Sequence, residues 1–158
     1  SAWAVPVTVK LFTPGTNPLT GTPVKTYNLT TQIGAMDSST GKPMDATFSI
    51  VGAPPGTFDI SVVSPHTLTV VAANVLSVAG TIDVDFGTLY EGDASDDGKI
   101  NISDFGILAS AFGKSTNQSG YDSRADFDWN GAVNISDFGL LAVNFTRNAP
   151  IDAPQSLE

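Results

Sequence analysis

Cysteine is absent from this chain of 158 residues, histidine occurs once, and cations are scarce: seven Lys and Arg stand against 16 Asp and Glu, for a formal net charge of −9. Each shortage excludes something. Without thiols there is no disulfide framework, no thiol nucleophile and no cysteine–zinc site. The lone imidazole, His66, cannot build a zinc site of the usual kind and reads as a residue packed on a strand or exposed from it. The acidic balance argues against nucleic acid or an anionic membrane as a partner. No hydrophobic run approaches the length of a membrane span, and no signal peptide is recognisable. Ser1 is not a natural start, so the chain reads as a fragment of a longer secreted protein, with Leu157–Glu158 as a cloning remnant. An extracellular domain without disulfides needs another staple, and a metal ion is one.

Much of the negative charge lies in two twelve-residue segments, DASDDGKINISD (93–104) and DFDWNGAVNISD (126–137). Asp93, Ser95, Asp97 and Asp104 in the first match Asp126, Asp128, Asn130 and Asp137 in the second, at positions 1, 3, 5 and 12. A hard cation such as calcium needs about six to eight oxygens around one centre. This spacing supplies carboxylates, a hydroxyl or amide, and the position-7 carbonyls of Lys99 and Ala132. Gly98 and Gly131 occupy position 6, where such a loop turns sharply, and Asn101 and Asn134 occupy position 9. Two matches in register, each followed by Phe-Gly-x-Leu-Ala, predict two bound calcium ions.

The loops differ from EF-hands. Both close with Asp where sensors and buffers use a bidentate Glu. The sequence before each loop is also non-helical: Thr81–Gly92 alternates Ile82, Val84 and Phe86 against Asp83 and Asp85, and 117–125 is rich in turn residues. Only the exit side has helical spacing, through Ile100, Phe105, Leu108 and Phe112, and again through Val133, Phe138, Leu141 and Phe145.

Duplicated units of this form, ending in N-I-S-D-F-G-x-L-A, resemble the dockerin module over about Glu91 to Arg147. The resemblance implies a calcium-dependent module that binds a cohesin domain of a scaffolding or cell-surface protein in an extracellular, cellulosome-like assembly. It also implies a small all-α fold of two loop–helix repeats with internal pseudo-two-fold symmetry. Carried over by position, partner contact falls on Ile102, Ser103, Ala109, Ser110 and Lys114 in the first repeat. In the second it falls on Ile135, Ser136, Ala142, Val143 and Arg147.

Residues 1–88 carry short alternating runs between turn clusters. Val5, Val7, Val9 and Leu11 alternate with polar residues, and further runs occupy 24–30, 46–51, 57–63, 66–72, 75–78 and 81–86. About seven strands at this spacing predict a β-sandwich. The segment TFSIVGAPPGTFDISV resembles carboxypeptidase-regulatory-like, transthyretin-like sandwiches, which implies a spacer or adhesive role. The expected organisation is therefore a sandwich over 1–88, a loop–helix module over 89–150 and a disordered tail over 151–158. The short junction predicts domains that touch, with Leu89 and Tyr90 near the contact.

No enzyme emerges. Asp83 and Asp85 share one strand face, whereas a glycosidase pair faces across a cleft. Asp-Phe-Gly occurs twice, but the other kinase motifs are missing. Five Asn-x-Ser/Thr matches fit the glycosylation pattern, two of them inside the calcium loops, and they are discounted. Trp129, at loop position 4, is either a partner contact or packed on its own module. Carbohydrate binding by the N-terminal domain, through Trp3, Tyr27 and Tyr90, is the alternative function, though core or interface use suits these aromatics better.

Overall fold

A computed structural model describes residues 4–33, 45–79 and 83–154. Its strands are β1 (Pro6–Phe12), β2 (Lys25–Thr30), β3 (Gln32–Ile33), β4 (Ala46–Thr47), β5 (Gly56–Val63), β6 (Val70–Ser77) and β7 (Ile151–Asp152). Its helices are α1 (Ile102–Ala111) and α2 (Ile135–Asn144), with one 3-10 turn at Ser123–Ala125. β1 buries Val7, Val9 and Leu11 on one face, as its period-2 pattern requires. Antiparallel pairing with β2 runs from Pro6↔Thr30 to Leu11↔Lys25, and with β5 from Thr8↔Val63 to Phe12↔Asp59. β5 pairs antiparallel with β6, and the register slips between Phe58 and Ile60. The buried Asp59 sits in that slip and accepts hydrogen bonds from the Gly15 and Asn74 amides at 2.7 and 2.8 Å. An otherwise costly buried carboxylate thereby ties the slip to the irregular middle of β6 at Asn74 and to the turn at Gly15.

The expected seven-stranded sandwich followed by a small all-α module is overturned. The structure has one mixed five-stranded sheet, in the order β2-β1-β5-β6-β7, and a separate β3–β4 pair. The layer over the sheet core is irregular chain: Phe48, Ile50, Val84, Phe86 and Leu89 pack on Val7, Val9, Val62 and Val70. Val84 and Phe86 are half-buried while Asp83 and Asp85 are exposed, so the alternation reports burial, yet among the described residues they pair with no strand. The runs expected at 66–72 and 75–78 instead yield one strand, β6, which starts after His66 turns the chain at φ 55°. Residues 81–82 of the last expected strand, and the break expected at 34–43, lie outside the described residues. The C-terminal part is also not simply helical. Two ten-residue helices are its only α-helices among the described residues, and the chain then returns to the sheet.

That return uses the segment expected as a tail: β7 runs parallel to β6 through Val70↔Ile151 and Val71↔Asp152, and Ala153 is buried in the sheet core. Residues 155–158 lie outside the described chain. Traffic also runs the other way. Leu68, fully buried just before β6, belongs to the core of the loop–helix repeats with Ile100, Leu108, Phe127, Val133 and Leu141. Its amide bonds the Tyr90 carbonyl at 2.9 Å, and the His66 carbonyl accepts from Gly92 and Asp93, both at 3.0 Å. Sheet and repeats therefore share a backbone ladder and an apolar side chain. Leu68→Ala removes apolar bulk from this shared core, with an expected loss of about 2–5 kcal/mol. Denaturant unfolding followed by far-ultraviolet circular dichroism measures that loss, and the helical signal is expected to melt at lower denaturant than in the parent chain.

Candidate metal loops and helix surface

Each loop folds around its own first and last carboxylates. In the first, Asp93 accepts the Asp97 and Gly98 amides at 3.1 and 2.8 Å, and Asp104 accepts those of Ser95 and Asn101 at 2.9 and 2.7 Å. In the second, Asp126 accepts the Asn130 and Gly131 amides at 3.1 and 2.9 Å. Asp137 accepts those of Phe127, Asp128 and Asn134 at 2.7, 3.3 and 2.8 Å. Asp104 and Asp137 are fully buried. Gly98 and Gly131 hold φ at 78° and 88°, a conformation costly for other residues, and so allow the amides to turn inward.

Local sequence explains why both loops end in Asn-x-x-Asp. Asn101 and Asn134 are the N-caps of α1 and α2, accepting the Ser103 and Ser136 amides at 2.8 Å. Asp104 and Asp137 are the third helical residues and reach back to the cap amides, completing a capping box on each helix. One short carboxylate thus closes the loop and starts the helix, next to the positive end of the helix dipole.

The two repeats brace each other. After α1, Gly113, Lys114 and Thr116 exchange backbone bonds of 2.8 Å with Val133 and Gly131 of the second loop. After α2, Thr146, Arg147 and Ala149 do the same with Ile100 and Gly98 of the first, at 2.8–3.0 Å. The offset is 126 − 93 = 33 residues, and it maps Gly113 onto Thr146, Lys114 onto Arg147 and Phe105 onto Phe138. Phe105 and Phe138 meet edge-to-face across the pseudo-axis with ring centroids 6.3 Å apart.

Asp126, Asp128 and Asp137 bring one oxygen each within 4.8 Å of one another, the one such acidic group among the described residues. In the first loop Asp93 and Asp104 are buried together, while Asp97 is exposed and accepts the Lys99 amide at 2.9 Å. The Asn130 carbonyl oxygen similarly accepts the Ala132 amide at 2.8 Å. Ser95 is half-buried, with its hydroxyl at 3.5 Å from Asp93.

The partner-contact residues lie on the outer face of the repeats. Ile102, Ile135 and Val143 are 70%, 69% and 71% exposed, far above the burial usual for such side chains. Ser103, Ser136, Ala109, Ala142, Ser110 and Lys114 are exposed as well. Arg147 is exposed, but its guanidinium stacks on the Tyr90 ring at 4.0 Å, so the two basic ends are not equivalent. Ser110 donates to the Ile107 carbonyl at 2.8 Å within its own helix.

The roles of two residues escaped the sequence reading. His66 is buried, with Nδ1 paired to Glu91 Oε2, and its ring lies 4.9 Å from that of Trp129. Its isolation among ionisable residue types gave no spacing signal. Tyr121, in the polar connector, donates to Asp126 Oδ2 at 2.7 Å, a bond without counterpart in the first repeat, where Thr88 stands at the matching place. Of the aromatics considered for sugar, Tyr27 packs on the sheet core and Tyr90 lies under Arg147, while Trp3 is outside the described residues.

Burial raises Glu91 to about 7 against the opposing His66 bond, and raises Asp93 to about 6 despite its amide donors. Asp128 is raised by burial and then by Asp137. Carboxyls raised on folding hold protons that the unfolded chain has released. Their contribution is therefore favourable at low pH and lost as pH rises through about 6 to 7. In excess chelator the chain is expected to melt several degrees higher at about pH 5 than at about pH 8. Differential scanning calorimetry at the two pH values checks this; a flat or inverted profile contradicts it.

Residues 91–145 match the family profile described as the dockerin type I domain. No curated protein matches the chain. Two solved type II cohesin–X–dockerin complexes from Acetivibrio cellulolyticus, an N-terminal and a C-terminal interface mutant, align with it at a TM-score of 0.52 and 23% identity, over 90% of this chain and 81% of theirs. That likeness is one of fold, and it reaches across both the sheet and the repeats. A type II cohesin–dockerin structure from Bacteroides cellolosolvens is 36% identical over 40% of this chain and 93% of that one, with a TM-score of 0.32. With their duplicated loops, capped helices and pseudo-two-fold bracing, residues 91–145 are a dockerin type I domain.

Proposed function

We propose that this chain is a non-catalytic anchoring protein of an extracellular assembly, and that its dockerin domain binds a cohesin in a calcium-dependent way. The observation that carries the reading is the pair of equivalent helices presenting Ile102, Ile135 and Val143 to solvent beside Phe105 and Phe138. Apolar side chains this exposed mark a surface that a partner covers. The solved complexes that share the fold are cohesin complexes by description, which supports the choice of partner. The sheet serves as a rigid base for the dockerin, through the ladder at His66–Leu68 and the return strand β7.

Calcium is the cation the donor set suits: all-oxygen, carboxylate-rich, with a turning glycine and room for a position-7 carbonyl. Asp93, Ser95, Asp97, the Lys99 carbonyl, Asn101 and Asp104 would hold one ion. Asp126, Asp128, Asn130, the Ala132 carbonyl, Asn134 and Asp137 would hold the other. The amides that now satisfy the buried carboxylates come from the loop backbone itself, so the loop is already wrapped in the sense a cation requires. A bound ion would neutralise three clustered carboxylates and fix the helix that starts from the last of them.

Asp104→Ala or Asp137→Ala takes away a loop-closing ligand and a helix cap together. Each variant is expected to bind one calcium fewer by titration calorimetry, with lowered helical ellipticity. Two ions in either variant would refute the ligand assignment. Pseudo-symmetry also predicts two binding orientations on a cohesin. Replacing Ile102 and Ser103 together, or Ile135 and Ser136 together, is expected to leave binding largely intact, while replacing all four abolishes it. Surface plasmon resonance against a cohesin reads this directly, and loss of binding from one pair alone sinks the two-orientation reading.

A further inference from the structure

The two loops carry the same number of ligand carboxylates, three each, but hold them differently. In the second, Asp126, Asp128 and Asp137 stand together, with one oxygen of each within 4.8 Å of the others. In the first, position 3 carries the neutral hydroxyl of Ser95, and the third carboxylate is at position 5, on the exposed Asp97. Among the described residues the first loop forms no such triad.

The second loop is also held by side chains that the first lacks. Tyr121 packs its ring against the core of the repeats and donates its hydroxyl to Asp126 Oδ2 at 2.7 Å. The Gly131 amide donates to the same oxygen at 2.9 Å, so that oxygen has two donors, whereas Asp93 Oδ2 has the Gly98 amide alone among the described residues. Thr116 reaches the Gly131 carbonyl twice, with its amide at 2.8 Å and its hydroxyl at 3.1 Å. At the repeat offset, Thr88 and Ala149 stand in place of Tyr121 and Thr116, and Ala149 reaches the Gly98 carbonyl with its amide only. The sheet does pin the first loop, through the His66 carbonyl and the amides of Gly92 and Asp93. Those bonds fix backbone and leave the Asp97 carboxylate in solvent. The second loop therefore offers a cation three like charges already crowded together, whose repulsion the ion relieves. The first offers two and must order a third from water, at a cost in side-chain freedom. We infer that the second loop takes up calcium before the first, and that Tyr121 and Asp128 set this order. The inference rests on the calcium reading of both loops.

Gly98 and Gly131 donate their amides to the first carboxylate of their own loops, so each reports one site. The test titrates the full chain, labelled with nitrogen-15, with calcium in chelator-buffered solution and follows the calcium-bound signal of each glycine. Gly131 is expected to reach its midpoint at about tenfold lower free calcium than Gly98. Tyr121→Phe removes only the hydroxyl and should raise the Gly131 midpoint about three- to tenfold while moving that of Gly98 less. A general loss of stability would move both alike. Ser95→Asp gives the first loop a position-3 carboxylate and should lower the Gly98 midpoint, which keeps the test open should the tyrosine variant not fold. Equal midpoints, the reverse order, or a gap that neither substitution narrows overturns the inference and leaves the calcium reading standing. If neither glycine responds to calcium, the calcium reading falls and this inference with it.

Discussion

A single carboxylate in each repeat, Asp104 or Asp137, supports everything around it. Fully buried, it accepts the amides of its own loop and of its own helix cap, so backbone donors take the place of the water that its oxygens give up. The short reach of Asp suits both tasks at once; a Glu adds a methylene and would have to find room between the loop and the helix start. Loop curvature, helix entry and the outward direction of Ile102 and Ile135 all descend from that placement. The mutual bracing of loops by post-helical segments then fixes one repeat against the other.

The repeats were legible because their chemistry is local. Residues at positions 1, 3, 5, 6, 9 and 12 act within twelve residues, and the helical spacing that follows needs no long-range partner. The sheet was legible only strand by strand. Val7, Val9 and Leu11 announced β1, but whether a run pairs, or merely packs, depends on distant chain. Val84 and Phe86 have the alternation of a strand because they face the sheet core, yet their backbone finds no ladder. Sandwich and single sheet with an irregular cover both bury one face of each strand, so periodicity alone does not separate them.

What stayed hidden is instructive in the same terms. His66, Leu68 and Ile151 are ordinary residues by sequence, and their importance arises from contacts across the sheet–repeat boundary. Leu68 sits within a strand-like run and yet fills the other core. Asn144 replaces what is Ala111 in the first repeat, and its side-chain amide donates to the Glu91 carbonyl at 2.9 Å. The duplicated unit therefore departs from symmetry where it must dock on the sheet. The matched pairs Ile102/Ile135 and Ser103/Ser136, by contrast, face outward.

The parallel pairing of β7 with β6 gives the chain a closed route, out of the sheet after Ser77 and back into it at Ile151, with both loops and both helices strung between. A module held at both ends has little freedom to swivel. Whatever grips the helices therefore also aims the sheet, and with it the direction of any chain joined there. On a partner that accepts either face, a half-turn would point the sheet to opposite sides, so one pair of molecules could assemble into two differently shaped particles.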